Sequence, residues 1–349
     1  MQLERKIEIL TELGEFFKHS LSPEKSSGLK QANIELKAKA FSEAMEIAFH
    51  SNAWFTKESV RSAVSAWAKS LEYDKVSKWL SVYDFNNSDK TVGLIMAGNI
   101  PLVGLHDLLC VLISGHRVKA KLSSKDNVLM TQIVAALQLI APELEEKIEL
   151  NVQMKGLDYL IATGSDNSAR YFDYYFKDVT RIIRKNRTSV AIIQGDEKEE
   201  ELSLLADDIF GHFGLGCRNV TKVYVPQGYD LDLLFKAFFR YQDIANHNKY
   251  GNNYDYNKAV YLLNKIDLIE NGFLLLKEDE NIHSPVGVLF YEYYNSLEEL
   301  SLKLNLIKDQ IQCKVASIEG KEFVPFGKAQ SPELWDYADG VDTIKFLSS

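Results

Sequence analysis

The sequence predicts an α/β protein of two domains preceded by a helical arm, and three observations carry that expectation. The chain has 349 residues, past the ~250–300 at which a single core stops growing. Residues 1 to about 85 repeat apolar positions at helical spacing. From Thr91 onward, short apolar runs bounded by turn residues alternate with longer helical patterns, which reads as βαβ units on a parallel sheet.

The arm is read from Ile7, Leu10, Leu13, Phe16 and Phe17, then from Ala40, Phe41, Ala44, Ile47 and Ala48, with charged residues between. Asn86-Asn-Ser-Asp-Lys90 is a turn signal. Thr91–Ala97 is the continuous apolar run of a strand buried on both faces. After the Gly98-Asn-Ile-Pro101 turn, Val103–Ser114 is apolar nearly all round and suits a buried crossover helix stopped by Gly115. His116–Leu122 reads as a strand, Asn127–Ala141 as a helix ended by Pro142, and Ile148–Val152, Tyr159–Ala162, Val179–Ile183 and Ser189–Ile193 as further strands. A helix is expected at Asp166–Lys177. The acidic run Asp196–Glu201 opens the next helix, where the macrodipole favours negative charge, and Leu202, Leu205, Ala206, Ile209 and Phe213 form its apolar face. Asn246–Tyr256, rich in Asn and Tyr, reads as a polar loop covering the surface.

Composition removes several function classes. The net charge is −9 and the longest basic tract is Arg184-Lys-Asn-Arg187, so a broad footprint for nucleic acid is not expected. The first residues alternate charge with apolar side chains, unlike a signal peptide, and no apolar run approaches membrane-spanning length. Three cysteines without pairing or metal-ligand spacing suit a reducing cytoplasm. No P-loop, paired-cysteine metal site or His-Glu-X-X-His pattern occurs, so no metal is expected.

Of the three cysteines, Cys217 is the candidate nucleophile. Cys110 lies in the apolar run Leu108–Ile113 and reads as a core thiol, and Cys313 has no assignable polar company. Cys217 instead follows a helix that runs out through Gly214 and Gly216 into a strand, beside the cation Arg218. Positive charge near a thiol favours the thiolate, its nucleophilic form. His212, five residues earlier, reads as structural. Gly214-Leu-Gly-Cys-Arg-Asn219 begins like a dinucleotide fingerprint, but it lacks the third glycine and runs helix-loop-strand.

Five segments in order resemble the aldehyde dehydrogenase superfamily, over roughly residues 90 to 345. Val92–Leu102 is similar to that family's strand and asparagine-bearing turn, with the asparagine at Asn99. Gly115–Ser124 is similar to the strand that grips the adenosine ribose, with the lysine at Lys121. Ile161–Ser165 resembles the Phe-Thr-Gly-Ser turn beside the cofactor diphosphate, Gly216-Cys217 falls on the nucleophile, and Pro325-Phe-Gly-Lys328 is similar to the Pro-Phe-Gly-Gly motif. Taken singly, Asn99 can be a turn residue, Lys121 a strand-end charge and Thr163-Gly164-Ser165 a helix cap. The ordered set implies an aldehyde-dehydrogenase-like fold: residues 1–185, completed by 326–349, hold the arm and a nucleotide domain, and residues 186–325 form an α/β catalytic domain.

Two departures refine what the resemblance implies. Ile183 stands where hydrolytic members carry the glutamate that activates water, and an isoleucine takes no proton. Ser124, and Asn281 in Asn281-Ile-His-Ser-Pro285, replace carboxylates that would hold ribose hydroxyls, which favours NADPH over NADH. With the arm and the C-terminal run Gly327–Leu347, the chain most resembles the LuxC-like fatty acyl-CoA reductases of the bacterial bioluminescence type. That resemblance implies reduction of an acyl-CoA or enzyme-bound acyl thioester to the fatty aldehyde through a Cys217 thioester. Asn99 and the Cys217 N–H would hold the oxyanion, and Lys121, Ser124, Thr163, Gly164 and Ser165 the NADPH. It further implies homo-oligomers, with the C-terminal segment a candidate contact. The alternatives are an NAD(P)-dependent aldehyde dehydrogenase and a nicotinamide-free cysteine acyltransferase.

Overall fold

A computed structural model describes residues 1–22, 32–85 and 89–348, so Asn86–Ser88 of the expected turn lie outside the described residues. The chain divides into one unit of residues 1–185 with 333–349, and a second of residues 186–332.

The first unit opens with four helices, α1 (Leu3–Leu21), α2 (Ala32–Ser51), α3 (Lys57–Ser70) and α4 (Tyr73–Leu80). Ile7, Leu10, Leu13, Phe16 and Phe17 of α1 are buried as their spacing predicts, and Phe16 and Phe17 pack their rings on Phe41 of α2. On α2, Phe41, Ala44 and Ala48 are buried as expected, but Ile47 is 55% exposed, and Ile34, Ala38 and Met45 complete the inward face. Those positions recur at intervals of three and four, so they form the true stripe.

The five strands that follow are β1 (Thr91–Ile95), β2 (Arg117–Lys121), β3 (Ile148–Leu150), β4 (Tyr159–Thr163) and β5 (Thr180–Arg184), in sheet order β3-β2-β1-β4-β5. Every pairing is parallel, which explains apolar runs without alternation in β1 and β4. The crossovers are α5 (Leu105–Ile113), α6 (Asn127–Ile140) and α7 (Asp166–Tyr175). The last helix, Thr343–Leu347, buries Ile344 and Leu347 in the same core. Arg184 is buried here, its guanidinium bonded to both oxygens of Asp107, to Ala338 O and to Thr343 Oγ1, so this member of the basic tract is structural.

The second unit contains β6 (Thr188–Ile192), α8 (Glu199–Phe210), β7 (Val220–Pro226), α9 (Asp232–Phe238), α10 (Asn248–Leu263), β8 (Ile269–Glu270), β9 (Leu275–Glu278), β10 (Val288–Tyr294), α11 (Leu297–Leu306), β11 (Ile311–Ala316) and β12 (Phe323–Val324). Its seven strands run β12-β11-β6-β7-β10-β9-β8, parallel except for the β8–β9 pair.

Two expectations fail in this unit. Asn246–Tyr256 is not a loop, because most of it is the first half of α10. The sequence there lacks an apolar stripe, and tertiary bonds take its place. His247 accepts the Tyr250 N–H at the helix start, Tyr250 Oη donates to Phe273 O at 3.0 Å, and Asn257 Nδ2 donates to Val286 O at 3.0 Å. Phe213 is not on the face of α8, which stops at Phe210. His212, Phe213 and Gly214 take left-handed φ values of 49°, 60° and 76°.

Candidate active site

In the first unit, parallel strands place all their carboxyl ends on one edge. The chain steps from β1 outward to β2 and β3, then returns to the other side of β1 for β4 and β5. Open α/β sheets bind ligands outside the carboxyl ends where the order reverses in this way. Asn99 follows the end of β1. Lys121 is the exposed last residue of β2, in register with Ile95, and its carbonyl accepts the Met96 N–H at 3.0 Å. Ser124 lies exposed in the next turn. Thr163 ends β4, and the Gly164 N–H donates to Arg184 O at 3.3 Å. A Cβ on Gly164 would fall 2.8 Å from Ser168 Cβ and 3.1 Å from Phe172 Cε2, so only glycine lets the turn sit this close to α7. Ser165 caps α7, accepting the Ser168 N–H at 3.3 Å. The topology thus collects all six residues at one edge.

In the second unit, Cys217 is exposed on the turn between α8 and β7, while Cys110 and Cys313 are buried. Asn219, fully buried, organises that turn. Its Oδ1 accepts the Gly216 N–H at 2.8 Å, and its Nδ2 donates to Asp208 O, Ile209 O and Gly211 O at 3.0, 3.3 and 2.7 Å. The last carbonyls of α8, which a helix leaves without partners, are satisfied this way. Ser189 Oγ donates to Cys217 O at 3.1 Å and accepts the Cys313 N–H at 3.1 Å, so Cys313 has the polar company its sequence context did not reveal. Arg218 turns its Nε to Ala329 O. Asp208 holds the same segment, accepting from Gly327 N at 2.6 Å and Ala329 N at 2.9 Å. The Pro325–Lys328 motif is thereby tied to α8 and to the residue following Cys217.

No family model matches the chain, and no curated protein matches it. Solved structures do. The indole-3-acetaldehyde dehydrogenase AldA of P. syringae, in complex with NAD+ and IAA, superposes with a TM-score of 0.63 at 12% identity, over 91% of this chain and 72% of that one. The NADP-dependent glyceraldehyde-3-phosphate dehydrogenase of Bacillus halodurans C-125, complexed with NADP, gives 0.61 at 13%, over 92% and 79%. The aldehyde dehydrogenase of Bacillus cereus, as its NAD+ complex, gives 0.60 at 11%, over 92% and 73%. The fold is that of the aldehyde dehydrogenases.

Within this aldehyde dehydrogenase fold, burial sets the state of the groups near the turn. It pushes the Asp208 carboxyl up to about 6 against the pull of its two N–H donors. It lowers His212. In the first unit, burial in the core raises the Cys110 thiol well above its ordinary value. Sequence reasoning missed Asn219, Asp208, Ser189 and Asp126. Asp208 and Ser189 bond backbone atoms far along the chain, and Asn219 bonds the end of α8 and Gly216 just before it; none of the three carries a local pattern. Asp126 did carry one, since an aspartate before Asn127 reads as an N-cap, but its carboxylate makes no cap bond. It accepts the Leu102 N–H at 2.7 Å instead.

Proposed function

We propose that this protein reduces an acyl thioester to the aldehyde, with Cys217 as nucleophile, NADPH as reductant and a fatty acyl-CoA or enzyme-bound acyl group as donor. One observation carries the reading: in a chain of aldehyde dehydrogenase fold whose other cysteines are buried, Cys217 is an exposed thiol on a turn fastened at four backbone points by Asn219. The edge residues fit a dinucleotide. Lys121 offers an exposed ammonium, and the close Gly164 turn opens onto the N–H groups starting α7. Ser124 leaves that edge without the carboxylate that would repel a 2′-phosphate.

The Cys217 sulfur attacks the acyl carbonyl, and its new C–S bond replaces the bond to coenzyme A, which leaves as the thiol with one proton. The Asn99 amide and the Cys217 N–H are assigned the oxyanion. Bound NADPH would supply the hydride that reduces the thioester carbonyl carbon. Cleavage of the C–S bond then frees the aldehyde and returns the Cys217 thiol, with one further proton taken up. Ile183, half-buried on β5, offers no base for water at the position aligned with the hydrolytic glutamate, which favours reduction over release of acid.

The test is intact mass spectrometry after mixing with a fatty acyl-CoA. An acyl adduct on Cys217 that NADPH discharges as aldehyde supports the reading. Free acid formed from aldehyde and NADP+ would indicate an oxidising enzyme. A stable adduct with no NADPH binding would indicate an acyltransferase.

A further inference from the structure

We propose that Asp126 is a positioning residue for Asn99, acting through the backbone of the Gly98–Leu102 turn; this rests on the reading above, in which Asn99 stabilises the oxyanion formed as Cys217 is acylated. The turn leaves β1, carries Asn99, and enters α5. Its entry is set by packing. A Cβ on Gly98 would fall 2.4 Å from Ser123 Oγ and 3.2 Å from Lys125 Cβ, and the buried Asn52 amide donates to both Gly98 O and Lys125 O at 3.5 Å. At the exit, the Leu102 carbonyl accepts the Leu105 N–H at 3.0 Å, and the Leu102 N–H is held by a side chain. Pro101 has no N–H to offer, so Leu102 N–H is the first donor there, and Asp126 Oδ2 accepts it at 2.7 Å.

Three local penalties meet at that bond. Leu102 holds φ at 61°, a left-handed conformation unfavourable for leucine, while its side chain is buried. Asp126 precedes α6 but leaves that helix start without a side-chain cap. Its other oxygen, Oδ1, is buried with no hydrogen-bond partner among the described residues. Burial accordingly raises this carboxyl to about 7, with the Leu102 N–H acting to lower it. Strain and an unmatched polar atom concentrate where function requires a particular geometry. What these three jointly secure is the shape of the turn that bears Asn99.

The experiment compares wild type with Asp126→Ser, Asp126→Ala and Asp126→Asn, reading the rate of Cys217 acylation by a fatty acyl-CoA and, separately, its alkylation by iodoacetamide. Alkylation passes through no oxyanion, so a lost donor slows only acylation. Asp126→Ser keeps a helix-capping group but falls short of Leu102, and Asp126→Ala covers a failure of the first to fold. Both should acylate about 10²-fold more slowly, the loss typical of one oxyanion donor, with alkylation within about twofold of wild type. Asp126→Asn keeps an acceptor and should recover most of the rate. Adding Asn99→Ala to Asp126→Ser should cost nothing further. A folded Ser or Ala variant acylating at the wild-type rate, equal losses in acylation and alkylation, or additive losses in the double variant would overturn the role of Asp126 alone. If the wild-type protein forms no adduct, the acylation reading fails, and this proposal with it.

Discussion

Asn219 fastens the residue before Cys217 to the end of a helix: its Oδ1 takes the Gly216 N–H at 2.8 Å, while its Nδ2 reaches Gly211 O at 2.7 Å. One side chain closes the Cys217 turn and ends α8. Asn219→Ala would leave these buried backbone groups unmatched at once. The expected loss is about 2–4 kcal/mol in urea denaturation, and a loss under about 1 kcal/mol would mean that water or neighbouring groups replace the amide.

The three cysteines should separate by reactivity. Cys217 is exposed and the other two are buried, so iodoacetamide should add one label to the native protein. Peptide mapping should place it at Cys217, with Cys110 and Cys313 labelled only in denaturant. Cys217→Ser should abolish both the native label and the acyl adduct; an adduct surviving that change would put the nucleophile elsewhere.

Lys121 is proposed to meet the adenosine end of the cofactor. Lys121→Ala should weaken NADPH by about tenfold, near 1.4 kcal/mol, and NADH by less, in fluorescence titration. Equal losses for the two nucleotides would argue against a 2′-phosphate contact.

Asp208 should make stability depend on pH with a defined sign. Its carboxyl is raised from 3.8 to about 6, so the native state keeps a proton that the unfolded chain has released between those values. Stability should therefore fall as pH rises through that window and level off above it. Asp208→Asn removes the slope. The gap between variant and wild type should shift by on the order of 2–3 kcal/mol in favour of the variant from pH 4 to pH 7. Parallel stability curves would show that Asp208 does not titrate as its burial implies.

Much of the first unit was legible because parallel strands buried on both faces produce unbroken apolar runs, and crossover helices between them repeat at 3.6 residues. The segments from β1 to β6 fall close to their expected positions, and Cys217 stands in the helix-to-strand turn read from its glycines. Phase was less secure: Ala40 and Ile47 satisfied the spacing on α2, yet Ala38 and Met45 face the core. Packing against α6 and α1 distinguishes the two stripes.

Local pattern determined the helical arm, the parallel order of alternating elements and the identity of the cysteine free of the core, because each reports burial along a short stretch of chain. Tertiary structure alone decided that Asn248–Leu263 is helical, that Phe213 leaves α8, and that Asn219, Asp208 and Asp126 hold the turns around Cys217 and Asn99. Asp208 and Asp126 act through hydrogen bonds to backbone atoms distant in sequence, whose partners meet only once the strands and helices have assembled. Asn219 bonds atoms 3 to 11 residues back, which come together only when α8 ends at Phe210 and the chain turns toward β7.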